Sequence, residues 1–243
     1  MKVYLNSIQG IPDAITSMFM SKRTWTRDKE LEIRRVCNRV LDCTGRFQIG
    51  PFSKDPDVIQ YNEWLEKLYK WGRQHITMLK FIDLSFTVEG LHRGGQDDWD
   101  SHAKRFDNRI IRSSTRLAKF SNEMSDYYKD KIIPTDEMAE FLDIDLPDRI
   151  IAQDGQYYVK TVNGYVREDL KEDKDVLRGL YMLSIPSNFI YKVNLAEFAH
   201  VVKERNANGH ANPEVKQLCE ESVKLLTAAQ PMFTRELMLA IKN

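Results

Sequence analysis

The chain has 243 residues, which is long enough for one large domain with a sizeable core. Hydrophobic residues make up 42% of it and charged residues 30%, and 36 basic side chains balance 36 acidic ones. This neutral balance argues against a general nucleic-acid binder, whose domains usually carry a positive field. Because no apolar run approaches the ~18 residues that span a membrane, we expect a globular protein with neither a membrane nor a nucleic acid as partner.

The cysteines and histidines do not indicate a disulfide framework or a metal site. Cys37, Cys43 and Cys219 are an odd number without CxxC spacing. The five histidines include no HxxxH pair. The N-terminal residues lack the apolar core of a signal peptide, so a reducing, cytoplasmic setting and no metal are expected.

The first half of the chain predicts a strand, two helices and a second strand. Residues 1–8 alternate as a strand does, and residues 26–43 form an amphipathic helix with Leu31 in its apolar stripe. A Gly/Pro-rich connection precedes a second amphipathic helix at residues 56–75. Residues 75–90 indicate a turn and then a buried strand.

The second half of the chain adds a hairpin and two helices. Residues 156–169 predict two strands joined by a type I′ turn at Asn163-Gly164. Residues 194–205 and 212–229 predict helices, the second capped by Asn212. The expected fold class is therefore α+β: a mixed sheet flanked by helices, forming one domain over residues 1–243 with an inserted β-hairpin at about residues 150–170.

Two polar segments have two interpretations each. On a helix, the RIIRSSTR segment would place Arg109, Arg112 and Arg116 on one face, where they could bind a phosphate, or it could be an ordinary solvated face. The GGQDDWD segment could offer three carboxylates to a divalent ion, or could be an exposed turn or a helix cap.

Three segments, in order, resemble the flavin-dependent thymidylate synthases. HITMLKFIDLSFTVEG is similar to the family pattern GHxSxLEHxxFTFxIEG, with His75 and Thr77 at matching steps and Lys80-Phe81 where the family has Glu-His. SSTR is similar to the S-x-R that ends the family's RHRxxSxNExSxR motif, whereas the RHR triplet is intact in neither possible register. The third segment supplies the remaining motif residues in the family's order: Arg178, Pro186, Asn194, His200, Arg205 and His210-Ala211.

The resemblance implies an enzyme that converts dUMP to dTMP with methylenetetrahydrofolate and NADPH, through reduced FAD. It also implies a homotetramer whose active sites lie between subunits. The residues that it assigns to dUMP are Ser114, Arg112, Arg116, Arg178 and Arg205. The residues that it assigns to FAD are His75, Thr77, Asn194, His200, His210 and His102. Arg178 and Arg205 are the expected catalytic residues, since cations beside the uracil carbonyls would stabilise negative charge on the ring.

The altered RHR region keeps two alternatives open. The first is a divergent relative that hydroxymethylates dUMP or dCMP. The second is a non-catalytic nucleotide-binding protein that has kept the fold and lost the flavin; Arg112, standing where the family has Glu, favours this one.

Overall fold

The structure is a computed structural model that describes residues 1–101, 108–112, 147–151, 155–161, 164–172, 185–207 and 212–240. The chain forms two compact units. The first comprises Met1, Glu89–Gln96 and Arg112–Asn188, and the second comprises Lys2–Val88, Asp97–Ile111 and Phe189–Asn243. Their helices and sheets confirm the α+β class. Within the described ranges no helix is long and apolar enough to cross a membrane.

Most of the described helices lie in the second unit, while Glu168–Leu170 and the start of the helix Arg93–Ser101 lie in the first. The longer ones are α1 (Ile11–Ser21), α2 (Arg27–Val40), α3 (Pro56–Gly72), α4 (Arg93–Ser101), α5 (Leu195–Ala207) and α6 (Pro213–Ala229). The short ones are α7 (Arg235–Leu239) and two 3₁₀ helices, Ile76–Phe81 and Glu168–Leu170. The predictions for α2, α3, α5 and α6 are confirmed, whereas α1 was not predicted.

The strands form two sheets. The strands are β1 (Lys2–Gln9), β2 (Asp83–His92), β3 (Asn108–Arg112), β4 (Arg149–Ile151), β5 (Tyr157–Thr161), β6 (Gly164–Arg167) and β7 (Pro186–Asn194). One sheet has the order β1-β2-β7-β3, and the other has the order β4-β5-β6 with antiparallel pairing. The predicted hairpin is confirmed as β5 and β6, but its turn was placed wrongly. Gly164 pairs with Thr161 and so belongs to β6 rather than to the turn.

Alternation along β2 builds the core of the second unit. Leu84, Phe86 and Val88 are fully buried, while the residues between them are half-buried. The Phe86 ring stacks on Tyr191 of β7, with centroids 5.1 Å apart, and on Phe198 of α5, at 5.6 Å. Such aromatic pairs add to the hydrophobic stabilisation from area burial, and here they join the sheet to α5.

The apolar stripe of α2 shares Val36 and Val40 with the predicted one, but Ile33 and Cys37 take the places predicted for Leu31 and Leu41. Its buried residues are Ile33, Val36, Cys37 and Val40, whereas Leu31 is 51% exposed. The helix begins at its cap, Thr26, whose hydroxyl accepts a hydrogen bond from the Lys29 amide at 3.1 Å. The cap fixes the start of the helix, and the stripe starting at Ile33 then faces the core.

The helical interpretation of RIIRSSTR is wrong for the residues that the structure describes. Asn108–Arg112 is a strand at the end of the larger sheet. Because positions in a strand alternate between two faces, residues three apart do not share a face as they would on a helix. The argument that joined Arg109 to Arg112 therefore fails, and Arg116 lies outside the described residues.

Gly10 sets the position of the first 3₁₀ helix. It has φ 81°, in the left-handed region that favours glycine. A Cβ added to Gly10 would overlap the carbonyl oxygen of Phe81, the last residue of that 3₁₀ helix. The chain thus approaches the 3₁₀ helix more closely than any other residue type at position 10 would allow.

We expect Gly10→Ala to lower the free energy of unfolding by at least about 2 kcal/mol, because left-handed strain adds to the steric overlap. Urea denaturation measures this change. The matched control is Gly50→Ala, where the added Cβ meets nothing within 4 Å and the change should stay within about 0.5 kcal/mol. Equal changes in the two variants would contradict the close approach.

Candidate functional site

The candidate site is organised around the point where the 3₁₀ helix and α5 meet. The Leu195 amide, at the start of α5, donates a hydrogen bond to the Ile82 carbonyl at 2.7 Å. One residue further along β2, Asp83 forms a 2.5 Å salt bridge with Lys192 of β7. These contacts bring the segment that carries His75 and Thr77 towards the residues that begin α5.

His75 presents an exposed imidazole that is stacked on Trp71. The ring centroids are 5.3 Å apart and the ring planes differ by 22°. The Lys22 ammonium also lies over the Trp71 ring, 4.6 Å from its centroid. The quadrupole of the ring attracts a cation in this position. His75 and Thr77 are both exposed, so a ligand can reach the imidazole and the hydroxyl.

Asn194 is buried and caps α5. It is 6% exposed, and its side-chain Oδ1 accepts a hydrogen bond from the Glu197 amide at 2.9 Å. The side-chain amide Nδ2 of Asn194 makes no hydrogen bond within the described ranges. The side chain therefore fixes the helix start with its oxygen and keeps a donor available.

Arg205 lies about three helical turns beyond Asn194 on α5. Its guanidinium is 4% exposed; Nη1 lies 3.2 Å from a carboxylate oxygen of Asp98, and Nη2 donates to the Asp98 carbonyl. The Nε of Arg205 is also buried and has no acceptor among the described residues. Since buried polar groups are nearly always hydrogen-bonded, this nitrogen is a candidate donor to a ligand.

The other predicted site residues lie elsewhere. His200 is half-buried on α5. It precedes Arg205 by five residues, and this helical spacing places the two side chains on different faces of the helix. Arg112, on β3 in the first unit, donates from Nη2 to the Gln96 carbonyl at 3.3 Å. The predicted residues that lie outside the described ranges are His102, Ser114, Arg116, Arg178 and His210.

Asp98 and Trp71 are the neighbours of the site that were not predicted from the sequence. The GGQDDWD segment was interpreted as an ion site, an exposed turn or a helix cap, but residues 93–101 are helical and Asp98 pairs with Arg205. A buried arginine requires an acidic partner, but the sequence alone shows neither that Arg205 is buried nor which carboxylate pairs with it. Among the described residues, no group of three or more His, Cys, Asp or Glu could hold a metal ion.

The two buried thiols are not suited to nucleophilic catalysis. Burial raises the pKa of both Cys37 and Cys219 to about 12. The thiolate is the nucleophilic form, and it is scarce in both residues at neutral pH. Cys43, in contrast, is exposed.

Solved structures with the same fold contain a nucleotide and a flavin. Two structures of the flavin-dependent thymidylate synthase ThyX from Helicobacter pylori, each with FAD and dUMP, align over 100% of both chains. Their TM-scores are 0.54 and 0.53, and each is 13% identical in sequence to this chain. At this identity the likeness shows the fold.

Residues 43–232 match the family model described as thymidylate synthase complementing protein. The chain therefore belongs to this family, and the resemblance found in the sequence motifs is confirmed. No curated protein sequence matches the chain.

We expect one thiol of the native protein to react rapidly with Ellman's reagent at pH 8. Cys43 is exposed, whereas the raised pKa of Cys37 and Cys219 leaves them protonated until the pH approaches 12. Absorbance of the released thionitrobenzoate counts the reacting groups. All three cysteines should react in guanidinium chloride, which is the control, and fast release of two or more equivalents from the native protein would contradict the assigned burial.

Proposed function

We propose that the protein is a flavin-dependent thymidylate synthase that converts dUMP to dTMP with methylenetetrahydrofolate and NADPH. Membership of the thymidylate synthase complementing protein family supports the general activity. The observation that carries the proposal is the buried Nε of Arg205, which lacks an acceptor among the described residues. It lies on the helix that Asn194 caps, and both residues stand where the family motif has its site residues.

The residues at the start of α5 and around the 3₁₀ helix fit FAD. His75 offers an exposed aromatic ring, Thr77 an exposed hydroxyl, and Asn194 an amide donor that capping does not use. Rings and neutral donors of this kind suit a flavin and its ribityl and phosphate groups. His200, together with His102 and His210, completes the proposed FAD set. When bound and reduced, FAD would supply the hydride for the reaction.

Arg205 fits the pyrimidine of dUMP. Asp98 holds the two Nη groups, so the guanidinium plane is fixed and Nε–H can donate in one direction. A donor fixed beside a uracil carbonyl stabilises negative charge on the ring as C5 becomes the nucleophile. We propose that Arg178 acts with Arg205, and that Ser114, Arg116 and Arg112 hold the phosphate.

The proposed chemistry does not require a cysteine nucleophile. This agrees with the raised pKa of Cys37 and Cys219, which keeps both thiols protonated. The proposal also includes a homotetramer with active sites formed between subunits, since the resemblance implies one. In such an assembly, residues that are distant in one chain can contact the same ligand.

We expect the purified protein to keep a flavin absorbance band near ~450 nm after incubation with FAD and removal of free ligand. The matched variant is Asn194→Ser. Serine caps a helix as well as asparagine does but lacks the amide donor, so Tm should change little while flavin retention falls. The absence of the band in the wild-type protein would overturn the FAD assignment. A band equally strong in Asn194→Ser would remove only Asn194 from the proposed FAD-binding residues.

Arg205→Lys should weaken dUMP binding by about tenfold or more, because lysine can keep a charge beside Asp98 but cannot replace the planar Nε donor. Isothermal titration calorimetry with dUMP measures the affinity. The matched control is Arg167→Lys, which changes a half-buried arginine paired with Asp169 and should leave the affinity unchanged. Unchanged dUMP affinity in Arg205→Lys would remove this residue from the site.

A further inference from the structure

Four cations gather where α1 and α3 end. Lys22 follows α1, Lys67 and Lys70 lie in the last two turns of α3, and Arg73 follows α3. We call Lys22, Lys67, Lys70 and Arg73 the cationic strip. Within the described ranges Lys22, Lys70 and Arg73 form no ion pair, and Lys67 has a 3.5 Å contact with Glu63 in which both side chains are exposed.

The charges of the strip are close enough to repel each other. Burial, and next the charges of Lys67 and Lys70, lower the pKa of Lys22. Each cation separately complements the dipole at the end of a helix. The helix dipoles do not explain why the cations of α1 and α3 lie together. Like charges that converge destabilise the fold unless an anion lies between them.

A cavity adjoins one end of the strip. Its volume is about 360 Å³, and its wall includes Lys70 and Arg73 together with Glu66, Tyr69, Pro231, Met232 and Thr234. This volume lies at the lower end of the range found for small-molecule sites. Two cations that form no ion pair in the described part of the chain therefore face a space that can hold one anionic group and a few further atoms.

We propose that the cationic strip binds a small, chain-like polyanion. One phosphate or carboxylate lies in the cavity between Lys70 and Arg73, and the next anionic groups extend along Lys67 and Lys22. A small ligand fits better than a nucleic acid polymer, because the cavity is small and the chain carries 36 basic and 36 acidic residues. The chemistry admits a phosphate chain or a chain of γ-linked glutamates, and it does not depend on the proposed synthase activity.

The two ligand chemistries are tested separately by calorimetric titration of the full-length protein. The probes are inorganic tripolyphosphate and tetra-γ-glutamate. Wild-type protein should bind one of them, with an affinity that falls as salt is added. The double variant Lys70→Gln/Arg73→Gln should bind that probe at least about tenfold more weakly, since charge-assisted contacts are lost.

A matched control removes two exposed charges outside the strip. Lys54→Gln/Lys171→Gln has the same net charge as the double variant and should keep the wild-type affinity. Lys70 and Arg73 are exposed, so both variants should fold, and an unchanged Tm checks this. The flavin band reports the proposed function independently of this result.

Three outcomes would overturn the proposal. The first is that neither probe binds the wild-type protein. The second is that both double variants weaken binding equally, which would mean a response to net charge alone. The third is that a single-stranded dT12 oligonucleotide binds more tightly than both probes and loses affinity in Lys70→Gln/Arg73→Gln, which would assign the strip to nucleic acid instead.

Discussion

The hydrogen bond from the Leu195 amide to the Ile82 carbonyl joins two segments that are far apart in sequence. On one side of this hydrogen bond, the end of the 3₁₀ helix packs closely against Gly10, which it can do because glycine has no side chain. On the other side, Asn194 starts α5. The candidate site depends on this junction, because it brings the segment that carries His75 and Thr77 towards the start of α5. Core packing of Phe86 against β7 and α5 supports the same arrangement.

Residues of the candidate site also stabilise the fold. Asn194 satisfies a backbone amide with its oxygen, and Arg205 pairs with the Asp98 carboxylate through Nη1 and donates to the Asp98 carbonyl through Nη2. In each case one donor has no acceptor among the residues that the structure describes. A side chain fixed by one contact presents its other polar group in a defined direction, which is the preorganisation that binding and catalysis require. Substitutions at these positions therefore change stability and ligand affinity together, unless the structural contact is kept.

Sequence patterns predicted the elements with a clear period and a cap. α2, α3, α5 and α6 have polar faces and capping residues, and all four were found. α1 was missed because it is buried on most sides, so it lacks the charged face that marks an amphipathic helix. The β3 segment was taken for a helix because cations recur at helical spacing, although pairing with β7 determines its conformation. The Arg205–Asp98 pair depends on tertiary contact, which no local pattern encodes.

Trp71 lies between two surfaces with different proposed ligands. Its ring contacts the Lys22 ammonium of the cationic strip and the His75 imidazole of the candidate flavin site. An anion that draws Lys22 away from the ring changes the surface on which His75 rests. Thermodynamic linkage makes the effect reciprocal, so a ligand on His75 must alter affinity at the strip by the same factor. Because the Trp71 ring contacts both surfaces, its fluorescence would report a ligand bound to either of them.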